Sequence, residues 1–335
     1  MAQGKIVIEE FTSEVLRDNP LGDPFVRKIP IYLPPSYNDI NHFPVIFLLS
    51  GFASTGLSFL NYRFGRPTLA EQLDKLIADG KMAETIVVMP DCMTRYGGAQ
   101  FLNSAATGNY MQHITEELIP FIDANYYTIP GKDYRALAGR SSGGYGALVL
   151  AMHHPDKFAA LACHSGDMNF ELCYAKNFPK ASVVLERYDY DIPKFFETYE
   201  TSDKKPGDGF VVLDMIGMSA AYSPNANKSV PENFDVPFDL RTCERKPDVW
   251  QRWLENDPIY MIREEKYQNA LRSMKQIFID CGKFDEYNLQ FGARQFSDKL
   301  GELGIAHTYE EFPDSHMDTA YRYNVSLPVL VNAIK

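Results

Sequence analysis

The stretch from residue 134 to residue 151 constrains the fold of this chain more than any other. It reads YRALAGRSSGGYGALVLA, in which a short apolar run breaks at Gly139, exposes Ser141 and resumes after Gly143 as small residues at helical spacing. This Gly-x-Ser-x-Gly pattern is typical of a strand, a sharp turn and a helix, with a strained backbone that holds the serine hydroxyl up at the sheet edge. A side chain at either glycine would collide with the neighbouring strand or helix. The motif therefore predicts an accessible nucleophile.

Strand and helix patterns alternate on both sides of this turn, and the apolar run FPVIFLL (43–49) is typical of a central strand covered on both faces. The first two strand patterns are separated by dense turn chemistry and predict an antiparallel pair. The later alternation predicts a mostly parallel sheet with helices on both faces. Strands are expected at 5–17, 25–33, 43–49, 85–90, 134–138, 158–164, 276–281 and 305–312, and helices at 69–78, 109–125, 143–153, 286–303 and the end of the chain.

The segment between the strand ending near Ser165 and the strand beginning near Lys275 is much longer than the roughly 30 residues that a plain crossover needs. It is rich in aromatic residues and turn-forming patches. We expect one domain spanning 1–335, with residues 166–263 inserted as a cap or lid over the strand ends, where α/β sheets place their ligand crevice. The alternative is that most of these rings pack the insert's own small core and only a few line a pocket.

Charge and composition narrow the class of partner. With 335 residues, 45% hydrophobic, the chain can bury a large core. Its net charge of -11 argues against nucleic acid and anionic membranes, and no apolar run is long enough to span a bilayer. Small neutral or weakly charged molecules fit better. The N-terminus lacks the apolar core of a signal peptide, which favours a cytoplasmic protein. The five cysteines are odd in number and widely spread, which predicts reduced thiols.

A serine nucleophile needs a base, usually a histidine oriented by a carboxylate, and in folds with this elbow the chain order is Ser, Asp or Glu, then His. Two histidines come late enough in the chain, His307 and His316. His307 lies inside a strand pattern, where a structural role is expected. His316 lies in the loop Pro-Asp-Ser-His after that strand, where a base can reach the elbow. We therefore predict His316 as the base.

The acid is expected just beyond the strand at 276–281. Asp285 lies in the loop that follows, where a carboxylate can bend toward the histidine. Asp280 falls within the strand, and Glu286 is expected to open the next helix, where an acid has an ordinary dipole or capping role. Asp285 is the preferred acid, with Asp280 and Glu286 as alternatives.

The oxyanion of an acyl-transfer intermediate needs hydrogen-bond donors that are already aimed at it. In folds with this elbow they are the N–H after the nucleophile, here Ser142, and one from a loop after an earlier strand, here Phe52. Gly51 would let that loop approach closely, although Ser50-Gly51 could also be a simple turn. Gly51 and Arg140, which flank these donors and the nucleophile, are predicted to contact substrate.

No metal or nucleotide site is predicted. His153-His154 ends a helix pattern and has no acidic ligand at metal spacing. Gly97-Gly98 is not followed by the Lys-Ser/Thr or the helix that a phosphate loop requires.

Several segments together resemble the Putative esterase family, which groups esterase D and S-formylglutathione hydrolases with feruloyl, acetyl-xylan and enterochelin esterases and mycolyltransferases. The resemblance implies an α/β-hydrolase fold, a Ser141, Asp285, His316 triad and no cofactor. The segments are IYLPPSYN (31–38), FPVIFLLSGF (43–52), PD (90–91), NS (103–104), ELIPFIDANY (117–126), AGRSSGGYGAL (138–148), IDCGKFDEYNL (279–289) and EEFPDSH (310–316).

These observations predict a serine carboxylic ester hydrolase that acts through an acyl-enzyme on small to medium esters, with an aromatic or apolar group on one side. One alternative is an acyltransferase to a sugar or another alcohol that uses the same triad. The other is a non-catalytic binding protein of the same fold. The sequence leaves the oligomeric state open, and a homo-oligomer is allowed.

Overall fold

The computed structural model describes residues 3–335 of the chain. Its strands are β1 (Lys5–Thr12), β2 (Val26–Leu33), β3 (Val45–Leu49), β4 (Ile86–Val88), β5 (Asn103–Ser104), β6 (Gly108–Asn109), β7 (Arg135–Arg140), β8 (Ala160–His164), β9 (Gln276–Gly282) and β10 (Thr308–Phe312). Its helices are α1 (Leu69–Ala78), α2 (Tyr110–Gln112), α3 (Ile119–Asn125), α4 (Ser142–His153), α5 (Phe170–Cys173), α6 (Phe178–Glu186), α7 (Ile192–Thr201), α8 (Phe210–Tyr222), α9 (Pro247–Leu254), α10 (Pro258–Met261), α11 (Glu265–Arg272), α12 (Leu289–Glu302) and α13 (Tyr323–Ile334).

An eight-stranded sheet runs through the molecule in the order β1-β2-β4-β3-β7-β8-β9-β10. The pairs β1–β2 and β2–β4 are antiparallel, and all pairs from β4 to β10 are parallel. This arrangement confirms the predicted fold class and the antiparallel opening pair. Because β7, β9 and β10 are parallel, the loops that follow them leave the sheet at the same edge.

The central strands are apolar because both of their faces are covered. All five residues of β3 are buried, and their side chains alternate between two clusters. Phe47 belongs to the larger cluster, which includes α4 and the segment between β8 and β9. Ile46 and Leu48 belong to the smaller cluster, which includes Leu73 of α1 and Leu327 of α13. Helices therefore pack on both faces, as predicted.

Four predicted elements differ from the observed ones by three or more residues. The first strand, expected at 5–17, ends at Thr12, because the chain then turns and the Glu117 carboxylate accepts the N–H groups of Glu14 and Val15. The helix expected at 109–125 is interrupted, because residues His113–Leu118 form a π-helical stretch. Pro120, at the start of α3, has no N–H to continue a regular helical ladder there. The helix expected from Glu286 begins at Leu289, because Asn288 adopts a left-handed conformation with φ 67°. The last strand begins at Thr308, which leaves His307 outside it.

The chain between β8 and β9 carries α5 to α11, and most of its aromatic rings pack against one another. Phe178 stacks on Phe238 with ring centroids 4.5 Å apart, and Trp253 packs edge-on against Tyr222 at 5.3 Å. Most of the rings in this segment thus serve its own core. The assignment of 166–263 as a cap or lid stays a prediction. Among the described helices, none combines the length and apolar character needed to cross a bilayer. The five cysteines are free thiols, as predicted.

Candidate active site

Ser141 lies at the sharp turn between β7 and α4 with φ 59° and ψ -128°. A positive φ is unusual for a residue with a side chain and marks local strain. The turn is tight enough that a Cβ atom added at Gly139 would overlap the carbonyl of Gly143, and one added at Gly143 would overlap the carbonyl of Leu49. The glycines of the motif are therefore required by close backbone approach, for the reason inferred from the sequence.

The strained turn is fixed by the adjacent strand. The backbone N–H of Ser141 donates to the carbonyl oxygen of His164, at the end of β8, over 2.9 Å. Ser142 is buried at the start of α4, whereas Ser141 remains partly exposed. The turn thus leaves the serine side chain accessible while its backbone is tied to the sheet.

Asp285 and His316 meet at the edge of the sheet. Asp285 follows β9 and His316 follows β10, and because these strands are parallel neighbours their following loops run side by side. Nδ1 of His316 lies 2.8 Å from Oδ2 of Asp285, while Oδ1 of Asp285 accepts the N–H of Tyr287 at 2.9 Å. His316 is 4% exposed and Asp285 is 2% exposed. The carboxylate is therefore desolvated and held in one orientation against the imidazole.

Three further side chains hold the His316 loop. Oε2 of Glu286 accepts the backbone N–H of His316 at 2.9 Å, and Nη1 of Arg140 donates to the His316 carbonyl oxygen at 2.8 Å. The Tyr287 ring packs edge-on against the imidazole with centroids 4.7 Å apart. Glu286 therefore does not open a helix, as the sequence suggested, but anchors the base loop. Arg140 has the same anchoring contact, and its predicted contact with substrate stays a prediction.

Ser141 and His316 face a common cavity of about 160 Å³, which we call the Ser141 cavity. Among residues 3–335, no group forms a hydrogen bond to Nε2 of His316, which leaves that nitrogen free to exchange a proton with a hydroxyl in the cavity. The lining residues are Gly51, Phe52, Arg140, Ser141, Ser142, Asp167, Cys173, Tyr174, Asn177, Phe210, Asp214, Met218, Tyr287, Leu289, His316 and Met317. Six of the seven residues predicted for the site line this cavity, and the seventh, Asp285, lies behind His316.

The two predicted oxyanion donors come from different strand ends. Ser142 is the first residue of α4, so its N–H has no partner within the helix. No acceptor in the described part of the chain takes the N–H of Phe52, in the turn after β3. Both backbone groups belong to residues that line the Ser141 cavity. The arrangement can present two N–H groups to an oxygen that becomes negatively charged.

The position of Phe52 depends on glycines that the sequence analysis did not connect with the site. A Cβ atom at Gly217 of α8 would lie 2.8 Å from the Phe52 ring, and one at Gly97 would lie 2.6 Å from it. These glycines make room for the ring. A Cβ at Gly51, by contrast, would be 3.5 Å from its nearest neighbour, which is ordinary contact. The expected close approach at Gly51 is therefore not a steric requirement for glycine.

The remaining candidates for acid and base lie elsewhere. His307 is bound on both ring nitrogens, to Ser297 Oγ at 2.8 Å and to the Ile305 carbonyl oxygen at 2.9 Å. Asp280 is fully buried and lies 2.7 Å from Nδ1 of His164. Nε2 of His164 is in turn 2.7 Å from Oγ of Ser326. A second Asp, His and Ser set, which the sequence did not reveal, is thus present inside the protein.

Two carboxyl groups, those of Asp167 and Asp214, lie on the wall of the Ser141 cavity. Burial raises the pKa of Asp167, which accepts a hydrogen bond from Gln100 Nε2 at 3.1 Å. Burial, and then repulsion from Asp167, raise the pKa of Asp214 to about 7. Within residues 3–335, no three His, Cys, Asp or Glu side chains lie close enough together to hold a metal ion.

The family model described as Putative esterase matches residues 26–329. An endo-1,4-beta-xylanase/feruloyl esterase of Xylanibacter ruminicola is 30% identical over 141 residues, which are 41% of this chain and 19% of that protein. Esterase Rv1288 of Mycobacterium tuberculosis is 24% identical over 267 residues, 75% of this chain and 45% of that protein. The chain thus spans less than half the length of either curated relative.

Solved structures share the fold over the whole chain. A ferulic acid esterase superposes with a TM-score of 0.63 at 21% identity, covering 100% of this chain and 99% of the other. An S-formylglutathione hydrolase from Agrobacterium tumefaciens superposes with a TM-score of 0.58 at 15% identity, covering 100% and 97%. At these identities the likeness speaks for the fold alone. The match of the family model over most of the sequence goes further, and the chain belongs to the Putative esterase family.

Proposed function

We propose that the protein is a serine carboxylic ester hydrolase that works through an acyl-enzyme. The observation that carries the proposal is the shared cavity. Ser141, on a strained turn, and His316, paired with Asp285 at 2.8 Å, face the same space. A hydroxyl becomes an effective nucleophile when an oriented imidazole can take its proton.

In the proposed reaction, Oγ of Ser141 attacks the ester carbonyl carbon while Nε2 of His316 removes the hydroxyl proton. The carbonyl oxygen becomes negatively charged and accepts hydrogen bonds from the N–H groups of Phe52 and Ser142. The alkoxy group leaves with the proton from His316, and an acyl-serine remains. Water then loses a proton to His316 and attacks the acyl carbon. The bond from this carbon to Oγ of Ser141 breaks as His316 returns the proton to Oγ, and the acid is released. Asp285 holds the imidazole in one tautomer and stabilises its protonated form.

The substrate class follows from the lining of the Ser141 cavity. Four aromatic residues line it, which favours an ester with an aromatic or apolar group of small to medium size. They are Phe52, Tyr174, Phe210 and Tyr287. The feruloyl esterases among the relatives and structural neighbours agree with this class.

Trapping of the acyl-enzyme tests the proposal. A p-nitrophenyl ester of a short or aromatic acid is mixed with the protein, quenched within milliseconds and digested with trypsin. We expect the acyl group on the peptide from Ser141 to Lys157, and a nitrophenol burst matched to it. The variant His307→Gln is the matched control for His316→Gln, because His307 is also a late histidine but lies outside the cavity.

Two outcomes would contradict the proposal. One is steady release of nitrophenol with no acyl adduct at any time, and the other is an adduct confined to a peptide that lacks Ser141. Addition of an alcohol to the same reaction separates hydrolysis from transfer. A hydrolase yields mainly the free acid, whereas a preference for the new ester would assign the same acyl-enzyme to an acyltransferase.

A further inference from the structure

Asp214 of α8 differs from Asp167 and Asp285, the other acids at the site, in the contacts of its carboxylate. In the described part of the chain, no hydrogen bond or ion pair reaches its carboxylate, whereas Asp167 is bound by Gln100 and Asp285 by His316. The side chain is only partly buried, since it borders the open space of the cavity. It therefore remains available to a molecule that enters.

Asp214 has lost part of the water that would surround it in solution, and no group in the described part of the chain replaces that water. The raised pKa of Asp214 reflects this loss, together with repulsion from Asp167. A ligand group that donates a hydrogen bond would relieve it.

Asp214 also lies where the cavity continues. Phe210, one turn earlier on α8, is 40% exposed and lines the Ser141 cavity with Asp214. Both residues, with Asn177 and Tyr287, also line an adjoining depression of about 610 Å³. An ester with an arm too long for the Ser141 cavity alone would therefore extend past Asp214.

The charges around the cavity restrict what that arm can carry. Arg140 is the permanent cation among the lining residues, and its Nη1 is already bound to the His316 carbonyl oxygen. Asp167 and Asp214 both place carboxyl groups on the wall. Farther out, the depression is lined by Lys180, Arg187 and Asp208, of which Arg187 and Asp208 pair with each other. Within the Ser141 cavity, a carboxylate or phosphate near Asp214 would find no free cation, whereas a hydroxyl or an ammonium group would find an acceptor.

We propose that Asp214 determines substrate specificity by accepting a hydrogen bond from a hydroxyl or ammonium group on one arm of the ester. The inference rests on the proposed hydrolase function and deepens it, because it names a polar group on a substrate that is otherwise apolar or aromatic.

Matched ester pairs test the inference. One series has linear acyl groups of four to eight carbons that end in CH3, CH2OH or CH2NH3+, and a cinnamoyl ester is compared with its 4-hydroxy form. A second series places the same groups on the alcohol side. For at least one chain length, on the acyl or the alcohol side of the ester, we expect the donor-bearing ester to react faster than its parent. The wild-type kcat/KM should be about tenfold or more higher for the donor-bearing ester. The variant Asp214→Leu should bring that ratio close to one.

Two further variants sharpen the test. Asp214→Asn keeps an acceptor oxygen and removes the charge, so a hydroxyl preference should survive in part and an ammonium preference should be lost. Asp248→Leu makes the Leu change at an exposed aspartate on α9 that does not line the Ser141 cavity, and should keep the wild-type ratios. Ratios near one in the wild type for every pair, or ratios that Asp214→Leu leaves intact, would overturn the inference while turnover of the parent esters still supports the hydrolase. Absence of turnover for every ester would instead remove the proposed function and this inference together.

Discussion

Two sets of Asp, His and Ser side chains lie at or just beyond β9. They differ in their access to solvent and in the backbone conformation at the serine. In the buried set, Asp280, His164 and Ser326 are linked by two contacts of 2.7 Å, and Ser326 is fully buried within α13. In the other set, Asp285 and His316 are 2.8 Å apart, and Ser141 lies on a strained turn that opens on a cavity.

A histidine between an acid and a serine is therefore not by itself a catalytic site. Asp280 also binds Nε of Arg322 at 2.8 Å, so its carboxylate joins β9, β8 and the start of α13 as part of the protein core. The backbone of His164 in turn holds Ser141 in place. We interpret the buried set as structural support and the set at the Ser141 cavity as the reacting groups. The following predictions test that division.

The largest difference is expected between the two serines. Ser141→Ala should lower kcat/KM for a nitrophenyl ester by a factor on the order of 10⁴ or more, because the nucleophile is lost. Ser326→Ala should keep most of the activity and lose about 1 kcal/mol of stability, because one buried hydrogen bond is lost. Steady-state kinetics and thermal unfolding of both variants measure these losses. Similar losses of activity in the two variants would contradict the assignment of different roles to the two serines.

The two acids should separate activity from stability. Asp285→Asn should lower kcat by a factor of about 10⁴ with little change in Tm, because the imidazole loses its orientation and charge partner. Asp280→Asn should lower the free energy of unfolding by about 1–3 kcal/mol, because Arg322 loses its buried charge partner and keeps only the partly exposed Glu310. At a temperature where it remains folded, it should retain far more activity than Asp285→Asn. A large loss of kcat in Asp280→Asn, with most of the activity kept in Asp285→Asn, would show that Asp280 is the catalytic acid.

The proposed reaction also needs the Phe52 amide as an oxyanion donor, and glycines make room for the Phe52 ring. In Gly217→Ala the added Cβ would meet the Phe52 ring and the Tyr96 carbonyl oxygen, each at 2.8 Å. The displaced ring should lower kcat roughly ten- to a hundredfold, since full loss of one oxyanion donor costs about 10²–10³ in kcat. Gly207→Ala is the control, because nothing lies within 4 Å of the added Cβ there. Equal kcat values for the two variants would show that the position of the Phe52 ring does not affect catalysis.

The smallest expected effect concerns stability and pH. The pKa of Asp214 is raised from 3.8 to about 7, so the folded protein holds this proton more tightly than the unfolded chain. Stability due to this group is therefore lost as pH rises from about 4 to about 7. Asp214→Asn should remove that loss and stabilise the protein by on the order of 1 kcal/mol more at pH 8 than at pH 5.

The other titratable residues on the Ser141 cavity wall are Asp167, Tyr174, Tyr287, Cys173 and His316, and they are common to both proteins. The difference between wild type and variant therefore isolates Asp214. A stabilisation independent of pH would contradict the raised pKa.

Much of the framework could be predicted from the sequence because local patterns encode it. Apolar runs marked the buried strands, and the chain order of Ser141, Asp285 and His316 selected residues that the structure brings to one edge of the sheet. These inferences needed only spacing and the geometry of parallel strands. The assignment of roles to those residues stays a prediction.

The rest depended on contacts between distant segments. Nothing local in the sequence pairs His164 with Ser326, or links Gly217 to the ring of Phe52. The unpartnered state of Asp214 is likewise visible only when α8 is placed against the cavity. The role of Glu286 was misread because the helix begins three residues later than its pattern suggested, after the left-handed turn at Asn288.

Labelling with a fluorophosphonate, followed by peptide mapping, tests the division between the two sets most directly. We expect one phosphonate on the peptide that begins at Ser141 in the wild type and in Ser326→Ala. We expect none in Ser141→Ala. Labelling of Ser326, or labelling of Ser141→Ala to the same extent as the wild type, would contradict it.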